Sequence, residues 1–429
     1  MPFVPDRFVI GFWPPVDFAT DERCRTVAEA GFNLVPLSCP KQDPMTRLRR
    51  LRKFGLKAIL WPEGNDPTKW PHADNLWGFA LKDEPNAAEF PALRTRAEAI
   101  ERQHPGKLAY INLFPDYASP EQLGAPGYEA YLKRFVDICK PDVLSMDHYP
   151  IFRPDGGDGR EGYCRNLASF RKAALEARVP FWNFFNTMPY GPHTDPTESQ
   201  LRWQVFASVA YGAKGVMYFC YDTPQGDEFP KGGAILAVDG KKGRHYEQAK
   251  RLNTTLRAFG PTLMRLTSTG VFRIKPTDDP ASVLRGSGLR DIPRGKGDPP
   301  GDYLVGAFRH QDGRRAVLLQ NYQFAYSAWP TVVFDAPIEA VREIDPLTGR
   351  EIAVWDEAPL CPVHSSPSRM ARDDCFCCQL SASAYVGVVS DRGKLLARWS
   401  LRLPTNGRHS WVVSILALRH YGTLLDSQQ

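Results

Sequence analysis

The sequence lacks any long apolar run. No window of its 429 residues approaches the roughly 18 to 20 uninterrupted apolar residues that a membrane-spanning helix needs. The first residues, MPFVPDRFVIGFWPP, do not combine a basic segment, an apolar segment and a cleavage site, as a signal peptide would. We therefore expect a soluble protein without a membrane span. It would act in the cytoplasm or, if a signal was removed, in the periplasm or outside the cell.

Metal-type cysteine spacing and basic stripes are also missing. The nine cysteines are an odd number, and Cys361, Cys375, Cys377 and Cys378 crowd together too tightly for a tetrahedral zinc site or a disulfide framework. The net charge of +6 is small for this length, and Lys and Arg are scattered, which argues against a nucleic-acid partner. We expect no metal and no cofactor. The sequence does not indicate an oligomeric state.

What the chain does have is apolar and aromatic content. Hydrophobic residues make up 43%, aromatic residues 12% and charged residues 24%, which suffices for a folded globule and excludes collagen-like, coiled-coil and disordered chains. The length predicts one large domain and a smaller one. Flat aromatic faces suit sugars and nucleobases, although most aromatic side chains serve the core.

From residue 8 to about 266, short β-type runs alternate with amphipathic stretches, a pattern typical of a parallel sheet with crossover helices. The predicted strands are Phe8–Trp13, Phe32–Leu37, Lys57–Trp61, Trp77–Lys82, Leu108–Phe114, Val143–Asp147, Phe181–Asn186 and Val216–Tyr221. Eight strands in about 260 residues match the size of a (β/α)8 TIM barrel. A doubly wound open sheet is the alternative.

Local signals favour the barrel. Asn86 to Glu89 and Thr197 to Gln200 have the form of capping boxes where helices should start. Four glycines stand where helices should end, namely Gly31, Gly55, Gly106 and Gly212. An open nucleotide-binding sheet would place a glycine-rich phosphate loop after its first strand. The chain instead has prolines at 14 and 15, which cannot present backbone amides to a phosphate.

The sequence pattern changes after residue 269. DYLVGAF, RRAVLLQNY, PTVVFD, AVREIDPLTG and REIAVW are short alternating runs separated by turn residues, which predicts a small antiparallel β-sandwich. We expect a barrel over residues 1–268, an antiparallel β domain over 269–390 with a last strand in CQLSASAYVGVV, and a tail of uncertain order over 391–429.

Active sites of such barrels lie at the carboxyl ends of the strands. The polar and aromatic residues predicted there converge on one mouth, and acids, amides and aromatic rings together describe a sugar pocket. The predicted catalytic residues are Glu84, Asp83 and Asp147. The predicted substrate-binding residues are Trp13, Trp61, Lys82, Tyr110, Asn112, His148, Tyr149, Trp182, Asn186, Tyr218 and Tyr221.

The most specific element is GFALKDEP at residues 78–85. Its apolar strand delivers two adjacent acids, Asp83 and Glu84, to the rim. These acids would otherwise serve the positive end of the next helix or pair with Lys82. Because the Asn86 capping box already serves that helix, we expect them to be functional.

Several stretches resemble the (β/α)8 glycoside hydrolases, and within that group an uncharacterised bacterial branch. They are KDEPNAAEFPAL, LAYINLFPDYASPEQLG, DVLSMDHYPIF, PFWNFF and LRWQVFASVAYGAKGVMYFCY, and the resemblance covers residues 8–270. In the clan that carries its acid/base glutamate on strand four, an asparagine precedes that glutamate. Here Glu84 matches the glutamate and Asp83 replaces the asparagine. The clan's nucleophilic glutamate on strand seven has no counterpart in PFWNFFNTMPYG.

The resemblance leaves two routes for hydrolysis of an O-glycosidic bond. Asp83-Glu84-Pro85 is similar to the adjacent acids of the substrate-assisted hexosaminidases of families 20 and 123. This similarity implies that Glu84 is the acid and that Asp83 orients a 2-acetamido group, which attacks the anomeric carbon. In the other route, Glu84 is the acid and Asp147 is the nucleophile or the base. Two classes without turnover also stay open, a carbohydrate-binding barrel and an interaction protein built on the β domain.

Two further interpretations compete at single residues. Asp147-His148-Tyr149 suggests a triad or a metal site, but no G-x-S-x-G motif occurs and only His72 and His193 offer distant third ligands. His148 would bind a sugar hydroxyl, hold a carboxylate, or serve as a satisfied histidine at the barrel end. Tyr218, Tyr221 and Trp182 would form a stacking platform or ordinary core.

Overall fold

The computed structural model describes residues 1–40, 42–226, 233–294, 301–324, 328, 330–336 and 340–354. The predicted strand in CQLSASAYVGVV, the clustered C-terminal cysteines and the predicted tail over 391–429 lie outside the described residues. Contacts divide the chain into two compact units, which meet between Met264 and Arg265.

The first unit contains eight parallel strands. They are β1 (Val9–Trp13), β2 (Leu34–Ser38), β3 (Lys57–Trp61), β4 (Leu76–Asp83), β5 (Leu108–Asn112), β6 (Leu144–Asp147), β7 (Phe181–Asn186) and β8 (Gly215–Phe219). Hydrogen bonds join them into two four-stranded sheets, ordered β1-β8-β7-β6 and β2-β3-β4-β5. The predicted strand count is confirmed, and no strand end differs from its predicted position by more than two residues.

Two joints close these sheets into a barrel. Between β1 and β2, the Asn33 backbone amide donates to the Ile10 carbonyl at 3.0 Å, and the Asn33 side chain accepts from the Ile10 amide at 2.9 Å. Between β5 and β6, the Leu113 amide donates to the Ser145 carbonyl at 2.8 Å. The first unit is therefore a (β/α)8 barrel, and the open-sheet alternative is wrong.

Helices connect the strands. They are α1 (Asp21–Glu29), α2 (Pro44–Lys53), α3 (Phe90–Gln103), α4 (Pro120–Leu123), α5 (Tyr128–Cys139), α6 (Arg160–Ala177), α7 (Glu198–Ala210) and α8 (Arg244–Leu263). A single 3₁₀ turn, Pro67–Lys69, replaces a helix between β3 and β4. No helix in the described part of the chain is long and apolar enough to cross a membrane.

The predicted capping signals are confirmed. Asn86 and Glu89 exchange reciprocal bonds at the start of a 3₁₀ turn that leads into α3. Thr197 and Gln200 do the same at the start of α7. All four predicted helix-ending glycines have positive φ, a conformation that costs glycine little. These local signals fix where each connection begins and ends, and so which residues reach the mouth of the barrel.

The barrel interior is filled by alternate residues of the strands. Val9, Leu34, Ile59, Trp182 and Met217 belong to this buried cluster. Because side chains alternate along a strand, the residues two positions further on form the next layer toward the carboxyl ends. That layer is the floor of the predicted site.

The second unit is antiparallel. Its strands are β9 (Leu266–Ile274), β10 (Leu289–Asp291), β11 (Tyr303–His310), β12 (Arg315–Asn321), β13 (Val333–Phe334), β14 (Arg342–Ile344) and β15 (Glu351–Ala353). A short helix, α9 (Pro280–Val283), lies between β9 and β10. The sheets are ordered β12-β11-β9, β10-β13 and β14-β15, and the first two share one core, as in a small sandwich. Sequence patterns did not predict β9 or β10.

Candidate active site

Strand β4 carries the two adjacent acids to the mouth of the barrel. Its residues are buried through Leu81, whereas Asp83 is exposed and Glu84 is partly exposed. Glu84 has a φ of 45°, in the left-handed region that costs a non-glycine residue about 1–2 kcal/mol. Its backbone amide donates to the carbonyl of Asn112 at 2.9 Å, which ties this strained turn to β5. Strain held in this way at a strand end is typical of functional sites.

Asn112, at the end of β5, joins two of the predicted catalytic acids. Its side-chain amide Nδ2 donates to Asp83 Oδ1 at 3.1 Å and to Asp147 Oδ1 at 2.9 Å. Since both acids bond to one nitrogen, these two carboxylate oxygens lie at most about 6 Å apart. Side chains from β4, β5 and β6 thus meet at one point.

A chain of buried hydroxyl groups orients this amide. Ser145 Oγ donates to Asn112 Oδ1 at 2.9 Å, so the Tyr110 hydroxyl, 3.0 Å from Ser145 Oγ, is left to donate to Ser145. The direction is fixed because Asn112 Oδ1 is an acceptor and its Nδ2 faces the two carboxylates. Tyr110 and Asn112, both predicted to bind substrate, are buried and align the acids from below.

Burial and neighbouring acids raise the pKa of two of the three acids, Glu84 and Asp147. Burial, together with the negative charge of Asp83, raises the pKa of Glu84 to about 7. Burial and the charges of Glu84 and Asp83 raise the pKa of Asp147 well above its usual range, although hydrogen bonds from Asn112 and Tyr149 oppose the shift. The cluster therefore keeps protons at neutral pH.

Asp83 differs from its neighbours in being open to solvent. Desolvation by the walls of the mouth still raises its pKa, but the hydrogen bond from Asn112 and the charge of Lys82 act in the opposite direction. Lys82 itself turns away from the acids, and its Nζ lies 3.1 Å from Glu89 Oε1. Of the three acids, Asp83 is the most accessible to solvent.

Aromatic side chains line the mouth on two sides. Trp13 and Trp61 are half-buried at the ends of β1 and β3, with their rings edge to face at 5.4 Å. Near Asp147, Tyr149 contacts Tyr190 and Phe219, at ring distances of 5.6 and 5.0 Å. The mouth therefore offers flat apolar surfaces beside a polar cluster, which is the combination that sugar binding needs.

Sequence analysis missed Tyr117, Tyr190 and Phe219. Negative charge on Asp147 and Glu84 contributes to the raised pKa of both Tyr117 and Tyr190, so these tyrosines lie within electrostatic range of the acids. Each stands in a segment that follows a strand, DYAS after β5 and MPYG after β7. An aromatic residue in a loop at the carboxyl end of a strand was the available signal.

Three predicted aromatic contacts lie in the core instead. Trp182 is fully buried and stacks on Tyr110 at 6.0 Å inside the barrel. Tyr218 is fully buried on the outer side of β8, where its hydroxyl donates to Asn253 of α8 at 2.7 Å. Tyr221 is fully buried against Phe12, at 4.5 Å. These three rings have core positions and do not form a shared surface at the mouth.

His148 and Asn186 are buried as well. The His148 ring nitrogen Nδ1 lies 2.8 Å from Asn166 Oδ1 and 3.5 Å from Asp116 Oδ1, so His148 braces the loop after β5. Asn186 shares the inward face of β7 with Trp182, and its side-chain nitrogen and oxygen have no hydrogen-bond partner among the described residues. Over the same residues, no three His, Cys, Asp or Glu side chains are grouped as a metal site would require.

Comparisons with known proteins add the fold context. No protein-family model matches the chain, and no curated protein sequence matches it. A β-galactosidase from Rahnella sp. R3 is 12% identical with a TM-score of 0.46, over 62% of this chain and 59% of that one. A β-galactosidase from Marinomonas ef1 is 11% identical with a TM-score of 0.44, over 58% and 60%.

An endo-β-1,4-mannanase from Thermotoga petrophila is 10% identical with a TM-score of 0.39, over 60% of this chain and 77% of that one. The matched part spans about 60% of the length of the two β-galactosidases. The solved structures that resemble it include glycoside hydrolases.

Proposed function

We propose that this protein is a glycoside hydrolase in which Glu84 protonates the departing oxygen of an O-glycosidic bond. The observation that carries this proposal is the cluster of three acids at the mouth, in which Asp83 and Asp147 share the side-chain amide of Asn112 and the Glu84 backbone amide donates to the Asn112 carbonyl. A general acid must hold its proton at the working pH, and a glutamate with a pKa of about 7 does so. Glycoside hydrolysis needs such an acid beside a second carboxylate.

The second carboxylate separates two routes. Asp147 is 9% exposed and its raised pKa favours the protonated form, which is a poor nucleophile. Asp83 is exposed, and although desolvation raises its pKa, Asn112 and Lys82 oppose that shift and favour the ionised form. These observations favour a substrate that carries its own nucleophile, with Asp83 as the charged partner of Glu84.

In this route the acetamido oxygen of the sugar bonds to the anomeric carbon as the bond to the leaving oxygen breaks. Glu84 gives its proton to the leaving oxygen. Asp83 accepts a hydrogen bond from the acetamido N–H as positive charge develops on the acetamido group. Water then opens the cyclic intermediate, and Glu84 takes a proton from the water. In the competing route, Asp147 either forms a glycosyl ester as the nucleophile or activates a water molecule as the base, and no acetamido group is needed.

Hydrolysis of a panel of 4-nitrophenyl glycosides, with and without a 2-acetamido group, tests the proposal on the full chain. Glu84→Gln should lower kcat by about 100- to 10,000-fold, whereas Glu22→Gln, an exposed change on α1, should have no effect. Asp83→Asn should be the more damaging change if only acetamido sugars react, and Asp147→Asn if plain sugars react. No turnover of any glycoside by the unmodified protein, with retained sugar binding, would point to a carbohydrate-binding barrel instead.

A further inference from the structure

Tyr117 stands apart from every other aromatic residue of the described chain. It is 57% exposed, whereas every other Phe, Tyr and Trp among the described residues is buried or half-buried. An exposed ring beside a cleft presents a flat apolar face on which a sugar can stack. Its ring packs edge-on against His148 at 5.0 Å, and it borders the acid cluster because it lies within electrostatic range of Asp147 and Glu84.

The loop that carries Tyr117 is held from both sides. The Asp116 amide donates to Asn166 Oδ1 at 3.1 Å, and the Tyr128 hydroxyl donates to the Phe114 carbonyl at 2.8 Å. Asp116 also accepts from Arg165 at 3.1 Å. The ring is thus presented by a fixed support, and a ligand that stacks on it does not have to order the loop.

The position of the ring indicates which part of a substrate it would meet. Trp13 and Trp61 pack against each other within the interior cluster and form the floor of the mouth. Glu84 follows β4, and Tyr117 follows β5, which pairs with β4. A sugar bound over the loop after β5 would therefore lie beside Glu84 and against the Tyr117 ring.

We propose that Tyr117 forms the binding position of the leaving-group sugar, and that the substrate is an oligosaccharide rather than a glycoside of one sugar. The ring would stack on the apolar face of the sugar that departs, as flat aromatic surfaces do with pyranose rings. This inference rests on the proposed function, since it takes Glu84 as the proton donor. It adds a contact that sets the length of the substrate.

Calorimetry on the full chain carrying Glu84→Gln tests the inference without turnover. The ligands are cellotetraose, mannotetraose, laminaritetraose and chitotetraose. Tyr117→Ala in that background should weaken binding of the tetrasaccharide that binds best by about tenfold. Tyr117→Phe keeps the ring and should bind within about twofold of Glu84→Gln alone. Leu347→Ala, another exposed large side chain, is the matched control and should have no effect.

A second readout excludes a merely structural role. Tyr117→Ala should leave the thermal midpoint within about 2 °C, and the affinity for the matching monosaccharide should not change. If Glu84→Gln with and without Tyr117→Ala binds every tetrasaccharide with equal affinity, the inference is overturned and the role of Glu84 stays intact. Absence of binding by all four tetrasaccharides, with a folded protein, would overturn the inference and count against the proposed function as well.

Discussion

Asp83 and Asp147 accept hydrogen bonds from one amide nitrogen, that of Asn112, at 3.1 and 2.9 Å. This shared donor joins two acids from different strands, and burial together with the charge of Asp83 raises the pKa of Glu84 to about 7. The cluster therefore keeps a proton available at neutral pH and offers it to a ligand in the mouth. The following predictions depend on this arrangement.

The pH profile of hydrolysis should have an alkaline limb near pH 7. Glu84 must be protonated to act as the acid, and its pKa is about 7, so kcat/KM should fall as the pH rises through that value. Removing the negative charge of Asp83 removes one cause of the shift. The alkaline limb of the Asp83→Asn variant should therefore move to lower pH, which the pH dependence of kcat/KM or a ¹³C titration of Glu84 measures. An alkaline limb that stays in place or moves to higher pH would contradict the effect of the Asp83 charge on Glu84.

Stability should change with pH in the same window. Because the folded pKa of Glu84, about 7, lies above its ordinary value of 4.5, the folded state binds more protons than the unfolded state between these values. The free energy of unfolding should therefore fall as the pH rises from about 4.5 to 7. Glu84→Gln removes this loss, so its thermal midpoint should exceed that of the parent protein by a margin that grows from pH 5 to pH 8. A constant difference would show that Glu84 has no raised pKa.

The backbone at Glu84 should favour glycine over alanine. At a φ of 45° a Cβ atom is strained, so Glu84→Gly should be more stable than Glu84→Ala by about 1 kcal/mol. At Glu22, within helix α1, the order should reverse, since glycine costs about 1 kcal/mol in a helix. Urea unfolding of the four variants measures both differences; the same order at both positions would exclude backbone strain at Glu84.

Asn112 should be a positioning residue. Asn112→Ala removes both bonds to the acids, and we expect kcat to fall about 100-fold through misplacement of the reacting groups. Ser145→Ala removes only the bond that orients the amide and should have a smaller effect. Because the lost bond favoured ionised Asp83, the acidic limb of the profile should also move to higher pH in Asn112→Ala. An unchanged profile with a lower thermal midpoint would indicate a structural role alone.

The barrel was predictable because hydrophobic periodicity and capping signals agree along its whole length. The meeting of Asp83, Asn112 and Asp147 followed from one rule, that the carboxyl ends of parallel strands share an edge. The rule does not say which face of a strand a residue occupies. Tyr218 illustrates this limit. Both faces of β8 are buried and apolar, so the sequence pattern does not show which of its residues point inward. In the structure, Met217 and Phe219 pack with the interior cluster of the barrel.

The positions of loop residues were the second feature that the sequence pattern did not predict. Tyr117 and Tyr190 follow their strands at distances that no periodicity fixes, and their approach to the acids depends on contacts such as that between Asp116 and Asn166. The strand β9 was missed because its alternating pattern directly follows α8. In each case the deciding interaction joins residues far apart in the chain, which a local pattern does not contain.

The most direct test of the role of Glu84 is the dependence of the Glu84→Gln variant on the leaving group. A 2,4-dinitrophenyl glycoside releases a phenolate that needs no proton, whereas a methyl glycoside of the same sugar needs one. We predict that Glu84→Gln lowers kcat/KM by about 1,000-fold for the methyl glycoside and by less than about tenfold for the dinitrophenyl glycoside. Equal losses for the two substrates, or no loss for either, would contradict the assignment of Glu84 as the proton donor.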